Sequence, residues 1–140
     1  MKDYYPKSAK RKIPQDIYLR SLNTIRALPR LQEKANQLLH ETYKQDVHVQ
    51  TSKKISPTEI IAMRREKTLK EIEQIEKAFE TVPDEYRLML KRNIIERVPM
   101  EMIEGASPKT ISRMRLKVII EVARNTGLID EYEYKETLKK

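Results

Sequence analysis

Three cationic residues spaced four apart, Lys109, Arg113 and Lys117, are the residues of this chain best suited to binding chemistry. In an α-helix a spacing of four keeps side chains on one face. The sequence holds no acidic residue between Ala106 and Ile120, so this face is predicted to be cationic throughout. Such a face binds the phosphate oxygens and base edges of nucleic acid, and it also occurs on ordinary solvated helices.

The residues around this stretch predict the helix that carries it. Ser107 and Pro108 suit the N-cap and the first helical position, and Gly105 suits a tight left-handed turn before them. The helix is predicted to run to about Asn125, with Gly127 as a left-handed C-cap. Its buried side is predicted to hold the apolar residues that recur at helical spacing, namely Ile111, Met114, Val118 and Val122.

The residues before the turn predict two further helices. Pro83, with acidic residues directly after it, is typical of a helix start, and Val98-Pro99 predicts the end of that helix. A very short helix is predicted over Met100–Glu104. A helix, a glycine turn and a second helix form a helix-turn-helix, whose second helix lies in the major groove of DNA.

This arrangement predicts which side chains contact DNA. Arg113 and Lys109 are the leading candidates for contacts to bases or phosphates, and Lys117 is expected nearer the DNA backbone. Thr110 and Ser112 flank the three cations. Arg115 falls towards the buried side of the helix, where it is expected to snorkel to solvent or to pair with an acid, so its contact with DNA stays open.

Composition predicts an all-α fold, and the pattern along the chain predicts a helical bundle with an N-terminal helical segment and the helix-turn-helix near the C-terminus. Apolar residues make up 39% and charged residues 36%, which suits narrow apolar stripes on helices. With two glycines and no cysteine, glycine-rich phosphate loops, disulfides and zinc–thiolate sites are excluded, and a reducing cytoplasm is the expected location. A net charge of +8 favours a polyanionic partner.

The chain is predicted to divide into five segments. Residues 1–13 are expected to form a basic flexible arm, and residues 14–43 an N-terminal helical segment that Pro29 ends or kinks. Residues 44–56 lack helical period and are predicted to be a linker. Residues 57–129 hold a long helix and the helix-turn-helix domain, and residues 130–140 are a tail that forms one last turn or frays.

The long helix at the start of the 57–129 segment carries a narrow apolar seam. Ser56-Pro57 and Glu59 predict its start as a capping box. The seam recurs at spacings of about three and four, through Ile61, Thr68, Ile72, Ile75, Phe79 and Val82. Two interpretations stay open: a homodimer through Ile61, Ile72, Ile75 and Phe79, or packing within the chain.

No pattern of residues predicts catalysis, a metal site or a cofactor. His40 and His48 stand eight apart without further ligands, and the glutamates of residues 71–85 are spread around a helix. The sequence also lacks an apolar run near the roughly 20 residues that span a bilayer. No apolar segment follows the basic N-terminus, so a secretory signal is not predicted. We therefore expect neither an enzyme nor a membrane protein.

Residues 83–124 resemble region 4 of bacterial sigma factors. The resemblance is carried by Val-Pro-Asp-Glu-Tyr-Arg, a long helix, a short helix and Gly-x-Ser-Pro-x-Thr-Ile-x-Arg-x-Arg. Together with the N-terminal YYPKSAKRKIPQDIYLRSLNTIR, the chain is similar to RinA/ArpU-type regulators of phage late genes. The resemblance implies a transcriptional activator that binds double-stranded promoter DNA and acts on the host RNA polymerase. It assigns DNA contact to six residues, namely Ser107, Lys109, Thr110, Ser112, Arg113 and Lys117.

Two alternative functions are compatible with the same residues. Phage DNA-packaging proteins such as small terminase subunits also join a helix-turn-helix to an oligomerising helix, here the Ile61–Val82 seam. A protein-interaction module, such as an anti-repressor or a polymerase-binding protein, would use the cations without touching DNA. Stoichiometry distinguishes the first alternative from a regulator, and salt-dependent DNA binding distinguishes the second.

Overall fold

The structure, a computed structural model, describes residues 5–47 and 56–140. All regular structure in these two ranges is helical, which confirms the predicted all-α class. In chain order the elements are α1 (Lys7–Lys10), α2 (Gln15–Arg26), α3 (Leu28–Val47), α4 (Pro57–Phe79), α5 (Asp84–Ile94), a short 3-10 helix (Met100–Met102), α6 (Pro108–Asn125) and α7 (Glu131–Lys139). No helix in the described ranges is both long enough and apolar enough to cross a bilayer.

The chain forms two compact units whose boundaries differ from the predicted segments. One unit joins Met1–Ala27 to Gln74–Lys140, and the other comprises Leu28–Glu73. In the first unit α6 packs against α2, α5 and α7. The N-terminal segment predicted over residues 14–43 is helical, and the boundary between the two units falls inside it, so that α2 belongs with the C-terminal helices and α3 does not.

Helix α6 supplies much of the core of the first unit. In its second half, Val118, Ile119, Val122 and Ala123 are fully buried, and Ile120 and Glu121 are nearly so. A helix that is buried on every side must be enclosed by its neighbours. The first half of α6 is different, because it buries Ile111 and leaves other faces exposed.

The basic segment at the N-terminus is folded where the structure describes it, so the flexible arm predicted over residues 1–13 is wrong for residues 5–13. Ala9 and Ile13 are 0% and 3% exposed. The Tyr5 ring lies 5.1 Å from the ring of Tyr18, and its hydroxyl donates to the carbonyl of Ile13. Three well-spaced anchors are enough to hold a segment whose composition is otherwise cationic.

The C-terminal tail predicted over residues 130–140 forms the helix α7. Its start is a capping box, in which Asp130 accepts from the amide of Glu133 (2.7 Å) and the Glu133 carboxylate accepts from the amide of Asp130 (3.3 Å). Thr137 is buried and its hydroxyl donates to the carbonyl of Lys12 (3.2 Å). The segment does not fray, because capping and this long-range contact both hold it.

The boundary that Pro29 predicts is confirmed. Helix α2 ends at Arg26, and Pro29 lies in the first turn of α3, where its missing N–H costs nothing. Helix α3 then continues to Val47, so the first residues of the predicted 44–56 linker are helical. Residues 48–55, which include His48, lie outside the described residues.

The start of α4 is confirmed, and much of its apolar seam is buried within the chain. The Ser56 hydroxyl accepts from the amide of Glu59 (3.1 Å) and caps the helix. Ile75 and Phe79 are 0% and 1% exposed, and Ile61 is also buried. Burial of three of the four residues agrees with the alternative of packing within the chain, and the homodimer through Ile61, Ile72, Ile75 and Phe79 stays a prediction.

Candidate nucleic-acid interface

The turn before α6 depends on a glycine, as predicted. Gly105 has φ +99°, a left-handed conformation that other residues adopt only with strain. A Cβ at this position would lie 2.6 Å from the terminal methyl carbon of Met89. Glycine is therefore favoured at this position by its backbone torsion, whereas the flexible end of the Met89 side chain could shift away from a Cβ.

A second left-handed residue, Arg97, ends α5 and was not predicted. Its φ is +58°, and the amide of the next residue, Val98, donates to the carbonyl of Arg92 (3.1 Å). This hydrogen bond closes the C-terminus of α5 in the way that a glycine usually does. Arginine carries no sequence signal for a left-handed torsion, which explains why sequence reasoning missed it. The Arg97 side chain is exposed.

The start of α6 is capped by two of the residues that the sequence assigns to DNA. The Ser107 hydroxyl accepts from the amide of Thr110 (3.2 Å) and lies 3.0 Å from the Thr110 hydroxyl. Pro108 occupies the first turn. Ser107 and Thr110 therefore hold the helix start together, which gives both hydroxyls a structural partner in addition to any ligand.

Lys109, Arg113 and Lys117 form one exposed row along α6, which we call the basic stripe. Ser112 and Thr110 flank it and are half-buried. Within the described part of the chain, no hydrogen bond or ion pair engages any of the three cationic side chains. The structure thus brings all six predicted residues together at the first half of α6, with the three cations turned to solvent.

Arg115 lies among these cations in sequence but has a structural role. It is 9% exposed, and its Nη1 donates to the side-chain oxygen of Asn93 at 2.7 Å. Asn93 in turn donates to the carbonyl of Val98 (2.9 Å), in the turn after α5. The sequence left open snorkelling or pairing with an acid, and both interpretations are wrong because the partner is a buried amide. This contact joins α6 to α5 and to the turn between them.

Side chain to backbone hydrogen bonds hold the helices around the basic stripe. Arg26 of α2 donates through Nε to the carbonyl of Ile94, at the end of α5 (2.9 Å). Gln74 and Asn125 exchange two hydrogen bonds, each of 3.0 Å, between α4 and the end of α6. These hydrogen bonds tie the end of α5 to α2 and the end of α6 to α4.

An ion pair adds a further tie between α4 and α5. The Lys91 ammonium lies 3.0 and 3.2 Å from the two carboxylate oxygens of Glu76 and 5.3 Å from the centre of the Phe79 ring. Phe79 is buried, so the ammonium covers the edge of the apolar core. The contact holds α5, the helix before the Gly105 turn, against α4.

The electrostatic character of the site comes from α6. The first turn of α6 contains no acidic residue, and its positive dipole end adds to the charge of Lys109. Glu101 and Glu104 are exposed in the segment before Gly105, so the turn itself carries negative charge. A polyanion is therefore expected to contact the helix rather than the turn.

Comparison of the chain with models of protein families, with curated proteins and with solved structures yields no match.

Proposed function

We propose that this protein is a DNA-binding transcription regulator whose α6 helix contacts double-stranded DNA through the basic stripe. One observation carries the proposal. A helix that follows a left-handed glycine turn buries one side and turns three unpaired cations, one per helical turn, to solvent. In the proposed complex Arg113 and Lys109 reach bases or phosphates, and Lys117 contacts the phosphate backbone.

The remaining residues at the start of α6 have a supporting part in the proposal. Ser107 and Thr110 hold the first turn, and Ser112 lies beside Arg113 with a hydroxyl able to donate to a phosphate oxygen. Arg115 does not take part, because its guanidinium is committed to Asn93. The proposal therefore assigns different tasks to two arginines that are two positions apart.

The biological setting in the proposal comes from the resemblance to sigma region 4 and to RinA/ArpU-type regulators. On that basis the DNA is a phage or prophage late promoter, the effect is activation, and the protein partner is the host RNA polymerase. Transcription in vitro from such a promoter, with and without the protein, tests this part. An unchanged transcript level with DNA bound would overturn activation and leave DNA binding standing.

Burial of the α4 seam favours a regulator over a packaging protein. The packaging alternative needs an oligomerising helix, and Ile75 and Phe79, which were assigned to it, are buried within the chain. Sedimentation equilibrium of the full chain measures the stoichiometry directly. A large ring would restore the packaging alternative, whereas a monomer or dimer agrees with the regulator.

DNA binding is tested with a matched pair of triple variants. Lys109→Ala, Arg113→Ala and Lys117→Ala together remove the basic stripe. Arg64→Ala, Lys67→Ala and Lys70→Ala remove three exposed cations from α4 and serve as the control with the same change in charge. The readout is fluorescence anisotropy with a labelled duplex over a range of salt concentrations.

The stripe variant is expected to lose at least about a hundred-fold in affinity at low salt, and its slope of log K against log salt is expected to fall by about 3. The α4 control is expected to keep nearly all of its affinity. Equal losses in both variants would mean that net charge, and not the stripe, attracts DNA. No salt-dependent binding by the unaltered protein would favour the protein-interaction alternative.

A further inference from the structure

A half-open groove of about 500 Å³ runs beside the basic stripe in the first unit. Its walls come from three elements, namely α6, α7 and the segment that contains α1. Leu116 and Ile120 are buried and form its floor, and Leu138 of α7, which is 62% exposed, forms one wall. This volume lies in the range of about 300–1,000 Å³ that is typical of sites for small molecules.

The polar groups of the groove are cationic at its rim. Arg113 and Lys117, which are exposed, and Lys12, which is half-buried, all line it. The one acid that lines it, Glu121, is already engaged: its carboxylate accepts from the Tyr134 hydroxyl and lies 3.7 Å from Arg124. The charge offered to a ligand is therefore positive, above an apolar floor.

We propose that this groove binds a small amphipathic anion, an aliphatic carboxylate whose chain packs on Leu116, Ile120 and Leu138. The carboxylate lies at the rim, where Arg113 and Lys117 neutralise it. A cation of the same shape is repelled by the rim, and a polar anion without an apolar chain leaves the floor exposed to water. The cationic rim thus selects the charge of the ligand, and the apolar floor selects its aliphatic chain.

Two of the rim cations also belong to the basic stripe. If the proposed function holds, on which this step rests, a carboxylate bound to Arg113 and Lys117 withdraws two of the three cations that contact DNA. Ligand and DNA then compete, and each weakens the binding of the other by the same factor. The groove would act as an effector site for the DNA-binding helix.

The binding of the anion is tested without DNA, on the full chain, with decanoate as the probe. Amide chemical shifts are followed in a ¹H–¹⁵N correlation spectrum as decanoate is added to millimolar concentration. We expect saturable shifts centred on the residues that line the groove. Affinity is expected to rise about four-fold for each methylene from hexanoate to decanoate, which is the contribution of one buried CH₂.

A matched pair of variants on α7 locates the site. Leu138→Ser removes one wall of the groove and is expected to weaken decanoate at least about ten-fold, since it removes a contact with several methylenes. Tyr132→Ser changes another exposed residue of the same helix, one that does not line the groove, and it is expected to bind decanoate as the unaltered protein does. Equal affinity in the two variants would overturn the assignment.

Three further probes distinguish a small amphipathic anion from other ligands of the groove, namely a cationic amphiphile, a lipid surface and a peptide. Decyltrimethylammonium has a chain of similar length with the opposite charge, and binding as tight as that of decanoate would overturn the proposal. Phosphatidylglycerol vesicles that sediment with the protein, with no shifts from monomeric decanoate, would show a lipid surface and also overturn it. Binding of an acidic, leucine-containing peptide in the absence of decanoate binding would show a protein partner, with the same consequence.

Competition with DNA is measured last, by anisotropy at a fixed decanoate concentration. If decanoate binds at the groove and lowers DNA affinity in the unaltered protein but not in Leu138→Ser, the coupling is supported. If decanoate binds at the groove and the protein has no affinity for DNA, the proposed function fails and the groove assignment stands. If both bind independently, the coupling is wrong.

Discussion

The two halves of α6 belong to one continuous helix but are used in opposite ways. Up to Lys117 the helix buries one side and exposes Lys109, Arg113 and Lys117, whereas from Val118 to Ala123 every residue is buried. The second half is held by the core, and it projects the first half at a fixed position. The contrast teaches that one helix can anchor itself in the core through its far end and expose a cationic face from its near end.

The largest change in stability is expected when a buried side chain is removed from the second half of α6. Ile119→Ala removes a fully buried side chain and is expected to cost about 2–5 kcal/mol of unfolding free energy. The control, Arg113→Ala in the first half, is expected to change stability by less than about 0.5 kcal/mol because the residue is exposed. Urea denaturation followed by circular dichroism measures both. Similar values for the two variants would contradict the division of α6.

A second test compares two arginine variants in both stability and DNA affinity, and opposite effects are expected. Arg115→Ala leaves the buried Asn93 oxygen without its donor, so it is expected to cost about 1.5–3 kcal/mol of unfolding free energy. Its DNA affinity, measured where the variant is still folded, is expected to be unchanged. Arg113→Ala is expected to show the reverse, with normal stability and weakened DNA binding. A clear loss of DNA affinity in Arg115→Ala would place its guanidinium at the interface.

A third test concerns the turn from which the first half begins. Gly105→Ala is expected to cost about 1–2 kcal/mol of unfolding free energy, because its φ of +99° is strained for alanine and because Met89 must move away from the new Cβ. Gly127→Ala, at φ +80° in open space after α6, is the control and is expected to cost less. A larger cost at Gly127 would show that the approach of Met89 is unimportant.

The smallest expected effect concerns the contact between the second half of α6 and α7. The guanidinium of Arg124 lies 4.3 Å from the centre of the Tyr134 ring and 2.8 Å from a carboxylate oxygen of Glu131. Burial, followed by the hydrogen bond to Glu121, raises the pKa of Tyr134 above its ordinary value of 10.0. Burial also raises the pKa of Tyr5.

The sign of the pH dependence follows from these raised pKa values. A tyrosine with a raised pKa in the folded state stabilises the fold while it is neutral, and this stabilisation is lost as the pH rises above 10.0 through the folded pKa. We expect the unfolding temperature to fall in this range, and to fall less steeply in Tyr134→Phe. Tyr132→Phe, an exposed change on the same helix, is the control. An identical slope in Tyr134→Phe and in the unaltered protein would exclude Tyr134 as a source.

Much of the candidate interface could be predicted from sequence because its signals are local. Ser107 and Pro108 start α6 and Gly105 makes the turn, each through torsions and hydrogen bonds that span a few residues. The helical period also placed Lys109, Arg113 and Lys117 on one exposed face. The left-handed torsion of Arg97 was missed because it depends on the surrounding chain and not on its residue type.

The errors arose where a few residues outweigh the composition of their segment. Tyr5, Ala9 and Ile13 anchor a segment that composition alone predicts to be flexible. Ile75 and Phe79 form a regular seam, but periodicity does not tell whether a seam packs within the chain or against a second copy. In both cases the sequence does not tell which residues pack against the apolar side chains.

The sequence by itself determined the starts of α4, α5 and α6, the glycine turn and the row of three cations, because backbone torsion, capping and helical period act over one or two turns. The tertiary structure alone decided that the buried guanidinium of Arg115 is paired with the side-chain oxygen of Asn93. It also decided that α7 contacts the segment that follows α1, with the Thr137 hydroxyl donating to the carbonyl of Lys12, 125 positions away. Contacts of this kind depend on how separate helices pack, and no spacing along the chain encodes them.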